Sequence, residues 1–206
     1  MQTLTSPISA DALEILPEDY FAPLDLAAIF GARSDAPLEI DLGCGDGAFL
    51  TAMAAQAPGR NFIGVERLLG RVRRTCRRNA QAGNGNVRVI RIESFYFLKY
   101  LLPAGTASVI HVMFPDPWPK KRHHSRRLVQ TEFLEVAHAA LQAGGELRLT
   151  TDNLPYFQHM EEVFSSCSGF EREPWEPDES YPQTDFEARF RAQGLPIYRA
   201  LLRKKG

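Results

Sequence analysis

Leu38-Glu-Ile-Asp41-Leu-Gly43-Cys44-Gly45-Asp-Gly47-Ala48 is the stretch that decides the fold. Leu38–Leu42 is a short apolar run of strand length. Three glycines at alternate positions close it, and Ala48–Gln56 opens a helix directly afterwards. Glycine in such a turn lets the backbone approach a ligand closely and leaves amide donors at a helix N-terminus. Outward from this point the rhythm repeats. Strands are expected at Asn61–Val65, Asn86–Ile92, Ser108–Phe114 and Glu146–Thr151, with helices at Leu68–Gln81, Phe95–Leu101, Leu128–Leu141 and Tyr156–Phe164. Strands alternating with helices at this spacing imply a mostly parallel α/β sheet with helices on both faces. After Ser168 the pattern changes. Phe170–Trp175 and Tyr198–Arg203 read as strands with no helix between them, and sheets of this kind often end in an antiparallel strand. Residues 1–36 read as a flank with a short helix near Leu24–Phe30, either a lid or a simple extension.

Composition bounds the rest. A chain of 206 residues holds one substantial core and is marginal for two, so residues 1–206 are read as a single domain. Cys44, Cys76 and Cys167 are odd in number and far apart, which excludes a disulfide framework and a zinc knuckle and suits a reducing, cytoplasmic setting. No basic-then-apolar leader and no apolar run of the ~20 residues that cross a bilayer is present, so no membrane partner is expected. The net charge of −1 conceals two basic concentrations: six arginines between Arg67 and Arg78, and five Lys/Arg with two histidines from Lys120 to Arg127. A polyanion responds to a local face rather than to the average.

The glycine stretch by itself fits either a dinucleotide or a methyl-donor pocket. Asp41 stands immediately before it, and a negative charge there suits a ligand bearing an ammonium group better than a pyrophosphate. Glu39 is a rival for that role. Glu66 ends the next strand 25 residues on, where a carboxylate grips ribose hydroxyls. A dehydrogenase also needs room for a second domain that this length does not offer. The methyl-donor pocket is preferred.

The fourth strand of the core runs into Phe114-Pro-Asp116-Pro-Trp118-Pro-Lys120-Lys-Arg122-His123-His124-Ser125-Arg126-Arg127. Three prolines in five residues stiffen the backbone at the carboxyl end of a central strand, where open α/β sheets bind ligands. Trp118 has two open roles, stacking on a base or packing under its own turn. Arg73 and Arg77 flank an arginine row at helical spacing, which reads as either an RNA backbone contact or a solvated face. His111, inside an apolar strand, reads as a hydrogen-bonded core residue. His123 and His124 lack partners at metal spacing, so no metal is expected.

With these motifs in hand, the chain resembles the bacterial tRNA (guanine-N7)-methyltransferases over roughly residues 37–203. The resemblance rests on Phe114–Trp118 with Lys120–Arg127, on Thr151-Asp152-Asn153, and on Thr184-Asp-Phe-Glu187 followed by Gly194-Leu-Pro-Ile-Tyr198-Arg199. It implies a class I, Rossmann-like methyltransferase fold, S-adenosylmethionine as cofactor, tRNA as partner, and N7 of the variable-loop guanine 46 as target. Carried over, cofactor contacts fall on Asp41, Gly43, Gly45, Gly47, Glu66, Glu93 and Asp116. Substrate contacts fall on Lys120, Asp152, Thr184, Asp185, Phe186 and Glu187. RNA contacts fall on Arg122, His123, His124, Ser125, Arg126 and Arg127, joined by Arg73 and Arg77 from the arginine row. Asp116 is the expected catalytic group. Relatives often carry glutamate where this chain has Asp41 and aspartate where it has Glu93; both changes keep the charge. A methyltransferase for small molecules would share the cofactor half but have no use for Lys120–Arg127. A non-catalytic RNA-binding module would have no reason to keep Asp41, Glu66 and Asp116 together. Monomer and dimer are equally compatible with the sequence.

Overall fold

A computed structural model describes residues 8–206. The strands are β1 (Glu14–Ile15), β2 (Leu38–Leu42), β3 (Asn61–Glu66), β4 (Val87–Arg91), β5 (Ala107–Met113), β6 (Leu141–Thr151), β7 (Phe170–Glu173) and β8 (Tyr198–Lys204). The helices are α1 (Leu26–Phe30), α2 (Ala48–Gln56), α3 (Leu69–Ala82), α4 (Ser94–Tyr96), α5 (Thr131–Ala140), α6 (Leu154–Ser165) and α7 (Asp185–Ala192); α4 continues in a wider π turn over Phe97–Leu101. One eight-stranded sheet has the order β1-β4-β3-β2-β5-β6-β8-β7. Only β8 is reversed, pairing antiparallel with both β6 and β7. This is the mostly parallel α/β sheet with an antiparallel C-terminal strand that the sequence predicts, and it agrees with the fold that the family resemblance implies.

Every residue of β2 and of β3 is buried, as expected for parallel strands covered on both faces. One face packs Ile40, Ile63, Ile90, Ile110 and Leu149 against α5 and α6 through Phe133, Leu134 and Tyr156. The other packs Phe62, Val87 and Val89 against α2 and α3 through Phe49, Leu50, Val72 and Cys76. All three cysteines are free thiols.

Chain order reverses direction at β2: β3 and β4 lie on one side, β5 and β6 on the other. That switch point opens a crevice between the carboxyl ends of β2 and β5, where such sheets place their ligands.

Two features differ from expectation. The strands β7 and β8 do have a helix between them, α7. Its eight residues bury only Glu187, so there is no apolar stripe to reveal it. The legible signal was the Thr184-x-x-Glu187 spacing of a capping box: Thr184 Oγ1 accepts from Glu187 N at 2.9 Å. At the opposite edge, the flank before residue 36 adds β1, which pairs parallel with β4. Two residues are too few to carry a periodic pattern. The beginning of that flank, residues 1–7, lies outside the described residues.

Candidate functional site

The glycine turn is built by backbone geometry. Gly43, Gly45 and Gly47 have φ of 75°, 57° and 80°, the left-handed region that side chains rarely adopt. Gly43 N and Cys44 N both donate to Val65 O, at 2.8 and 3.0 Å, which ties the turn to the end of β3. A Cβ on Gly47 would stand 2.5 Å from Thr75 Cγ2 on α3. Thr75 Oγ1 in turn donates to Gly45 O at 3.0 Å, so α3 seats directly on the turn.

Five acids stand at the carboxyl edge of successive strands: Glu93 after β4, Glu66 on β3, Asp41 on β2, Asp116 after β5 and Asp152 after β6. Asp41 is buried. Desolvation, then the charge of nearby Glu66, lift its pKa from 3.8 to about 7, and among the described residues no cation or side-chain hydrogen bond offsets them. Glu66 is also buried; its Oε1 accepts from Leu68 N at 2.8 Å, and Arg71 approaches Oε2 at 4.0 Å. Glu93 is exposed and caps α4, accepting from Phe95 N and Tyr96 N at 2.9 and 2.8 Å. Glu39, two residues before Asp41 on the same face, is already committed. It pairs with Arg60 Nε at 2.5 Å and with His111 Nε2 at 2.7 Å. His111 is the core histidine that the sequence suggests, 1% exposed, and its pKa is lowered by burial against the opposing pull of Glu39.

The rim after β5 is held from a distance. Phe114 and Trp118 both have positive φ, 55° and 42°, and they bracket Asp116. Strain of this kind persists only where neighbours over-determine it. Phe114 N donates to Thr150 O at 2.8 Å, and its ring packs on Phe190 of α7 at 5.5 Å. Arg127 Nε donates to Pro117 O at 2.9 Å, and its guanidinium lies over Tyr156 at 4.9 Å. Rigidity here comes from Arg127 and Phe190 as much as from the prolines. Asp116 itself is exposed. Trp118 is half-buried between Arg126, whose guanidinium lies over its ring at 5.1 Å, and an edge-on His123 at 5.7 Å.

The basic segment divides. Lys120, Lys121, Arg122, Ser125 and Arg126 are exposed, and His123 and His124 are half-buried, along a tight turn at Lys121–Arg126. Arg127 departs from the expectation of an RNA contact: it is 5% exposed and spent on the proline turn. On α3, Arg71 and Arg74 face Asp46, at 4.0 and 2.7 Å, whereas Arg73 and Arg77 are exposed and have no carboxylate within 4.0 Å among the described residues. Among the described residues no cluster of His, Cys, Asp and Glu has the makings of a metal site, and no helix is long and apolar enough to cross a membrane.

Of the expected substrate residues, Asp152 is half-buried beyond β6, while Asp185 and Phe186 are exposed on α7. Thr184 caps that helix. Glu187 is buried, with Oε1 accepting from Arg191 Nε at 2.9 Å and from Arg199 of β8.

A family model described as "Putative methyltransferase" matches residues 35–200. The chain is 38% identical over 185 residues to the tRNA (guanine-N(7)-)-methyltransferase of Syntrophotalea carbinolica, covering 88% of this chain and 79% of that protein. It is 40% identical over 183 residues to the protein of that name from Shewanella oneidensis, covering 86% and 76%. The chain belongs to the tRNA (guanine-N7)-methyltransferase family. Among solved structures, the 16S rRNA methyltransferase KamB superposes with a TM-score of 0.61 at 16% identity, covering 87% of this chain and 94% of that one. The antibiotic-resistance methyltransferase Kmr superposes with a TM-score of 0.60 at 20% identity, covering 87% and 92%. At such identities these two speak for the fold alone. This member of the family is a methyltransferase enzyme, with the glycine turn and the five acids at the carboxyl edge of its sheet.

Proposed function

We propose that this enzyme transfers the methyl group of S-adenosylmethionine to N7 of a guanine in tRNA, the variable-loop guanine by family resemblance. The observation that carries the reading is Asp41: a buried carboxylate without a cation, at the mouth of a glycine turn, one strand from the Phe114–Arg126 rim. The residues present fit the cofactor. Asp41 offers an anion for its ammonium group, Glu66 a carboxylate for ribose hydroxyls, and Gly43 and Gly45 a turn of bare backbone in the left-handed region. When bound, S-adenosylmethionine supplies an electrophilic sulfonium methyl.

Guanine N7 carries a lone pair and no proton, so no general base is required. The residues have to position and to stabilise. Alignment of the nucleophile in line with the methyl is worth up to ~7–11 kcal/mol. The purine becomes cationic as it is methylated, and Asp116, with Asp152 one strand further, places negative charge beside it. Guanine N1–H and N2–H₂ match carboxylate acceptors: half-buried Asp152, and Glu187 through the oxygen that Arg191 and Arg199 do not take up; adenine lacks those donors. Lys120 contacts phosphate or base. Arg122, His123, His124, Ser125 and Arg126 meet the RNA backbone beside the rim, and Arg73 and Arg77 extend that contact along α3. Arg127 serves the turn instead.

The deciding experiment incubates the protein with labelled S-adenosylmethionine and unmodified tRNA, then digests the RNA. Label in 7-methylguanosine is the expected result. Label in another nucleoside overturns the base assignment, and cofactor binding without transfer to tRNA points to a small-molecule substrate.

A further inference from the structure

Between β7 and α7, residues 174–183 run as a strap across the α2 face of the sheet and end at the substrate-side helix. The face beneath is polar: Glu39 and Asp41 of β2, His111 of β5 and Arg148 of β6 stand on it side by side. Tyr181 is the strap's deepest tie to this face. Its ring packs on Phe49 at 5.8 Å and edge-on to Trp175 at 5.7 Å, with the Arg148 guanidinium 5.8 Å above it. Its hydroxyl lies 3.3 Å from His111 Nδ1.

The chemistry of this chain of contacts fixes its direction. Glu39 is paired with Arg60; burial pushes its carboxyl up, but the hydrogen bond from His111 and the charges of Arg60 and Arg148 hold it below the usual range. As a carboxylate it only accepts, so His111 Nε2 donates to it. Burial lowers the His111 pKa and keeps the ring neutral, which leaves Nδ1 as an acceptor. Tyr181 O–H is then the donor, and burial raises its pKa to about 12, so the proton stays on oxygen. The run Tyr181→His111→Glu39 is a closed, one-directional chain from the strap to β5 and β2.

We propose that Tyr181 is a positioning residue for α7: its hydroxyl, donated into the His111–Glu39 pair, locks the strap against the sheet and sets where Thr184–Glu187 stand over the proline turn. Two residues separate Tyr181 from Thr184, and Phe190 of the helix that Thr184 caps rests on Phe114. The consequence for substrate rests on reading Thr184–Glu187 as substrate contacts. Neither a small aliphatic residue nor phenylalanine at 181 would provide the donor.

The test uses the full-length Tyr181→Phe protein, which keeps the ring packing, with Tyr181→Ala as the stronger variant. Hydrogen exchange of peptides covering 183–192 reports on the helix directly. Kinetics with tRNA and cofactor titration report on the site. Tyr181→Phe is expected to speed exchange in α7 and raise KM for tRNA by about 3- to 10-fold, the equivalent of one net hydrogen bond. The kcat and the cofactor Kd stay within about twofold, a split that general loosening would not produce. Unchanged exchange in α7 overturns the proposal, as does a joint loss of melting temperature, cofactor affinity and kcat. Faster exchange with an unchanged KM upholds the anchor and overturns the substrate role of Thr184–Glu187.

Discussion

The glycine turn and the proline rim both sit at the carboxyl edge of the sheet, yet they are built in opposite ways. The turn is made by consecutive residues of one strand–turn–helix unit, supported from outside by Val65 O on the next strand and by Thr75 and Arg74 on the following helix. The rim depends on residues far along the chain: Arg127 ten positions on, Thr150 on the next strand, and Phe190 on a helix of its own. A locally built site announces itself in sequence and is damaged chiefly by substitutions within it. A remotely built one is open to damage from residues that touch no ligand.

Substitutions can break or sharpen that contrast. The largest effect is expected at Asp116, the exposed acid of the rim. Asp116→Ala should lower kcat by about 10²- to 10³-fold in single-turnover methylation, the scale of losing one charge-stabilising group. Near-normal turnover would remove the electrostatic role assigned to it.

Asp41 tests the local site. Asp41→Asn should weaken cofactor binding about tenfold or more at pH 8, the loss of a charged hydrogen bond, as read by calorimetry. The sign with pH follows from its raised pKa. A cationic ligand binds the ionised carboxylate, so affinity should rise as pH increases through about 7 and then level off, and the Asn variant should flatten the profile. The same group favours the ligand-free fold while protonated. Its contribution is present below 3.8 and is lost progressively as pH rises toward about 7.

Gly47→Ala should destabilise the protein by roughly 1–3 kcal/mol in denaturant melts, because φ is 80° and the new Cβ meets Thr75. Trimming Thr75 as well should restore part of the loss, since it removes the clash and leaves the strain.

The smallest change is expected on α3. Arg73→Ala/Arg77→Ala should weaken tRNA binding several-fold at low salt and reduce the slope of log K against log salt by about two, with cofactor affinity unchanged. An unaltered slope would make these arginines a solvated face.

The parallel core, the reversal at β8 and the ligand edge were readable because they follow from hydrophobic period and glycine placement, which are properties of neighbouring residues. Helix α7 was not, since its amphipathic signal is nearly absent and only the Thr184–Glu187 cap marks its start. Arg127 looked like its basic neighbours, and Glu39 looked like a second cofactor acid. What separates them is partners that lie elsewhere in the chain: Pro117 O and Tyr156 for the one, Arg60 and His111 for the other.

The amino-acid sequence alone thus determined the α/β class, the order of the central elements, the glycine turn at the carboxyl edge and the proline–basic motif. Tertiary structure alone decided which charges remain free. A carboxylate whose two oxygens are both taken up by partners, as those of Glu39 are by Arg60 and His111, is withdrawn from ligands, and those partners lie 21 and 72 positions along the chain. Asp41, two residues further along the same strand, meets neither partner, which is why we propose it rather than Glu39 as the acid that meets the cofactor.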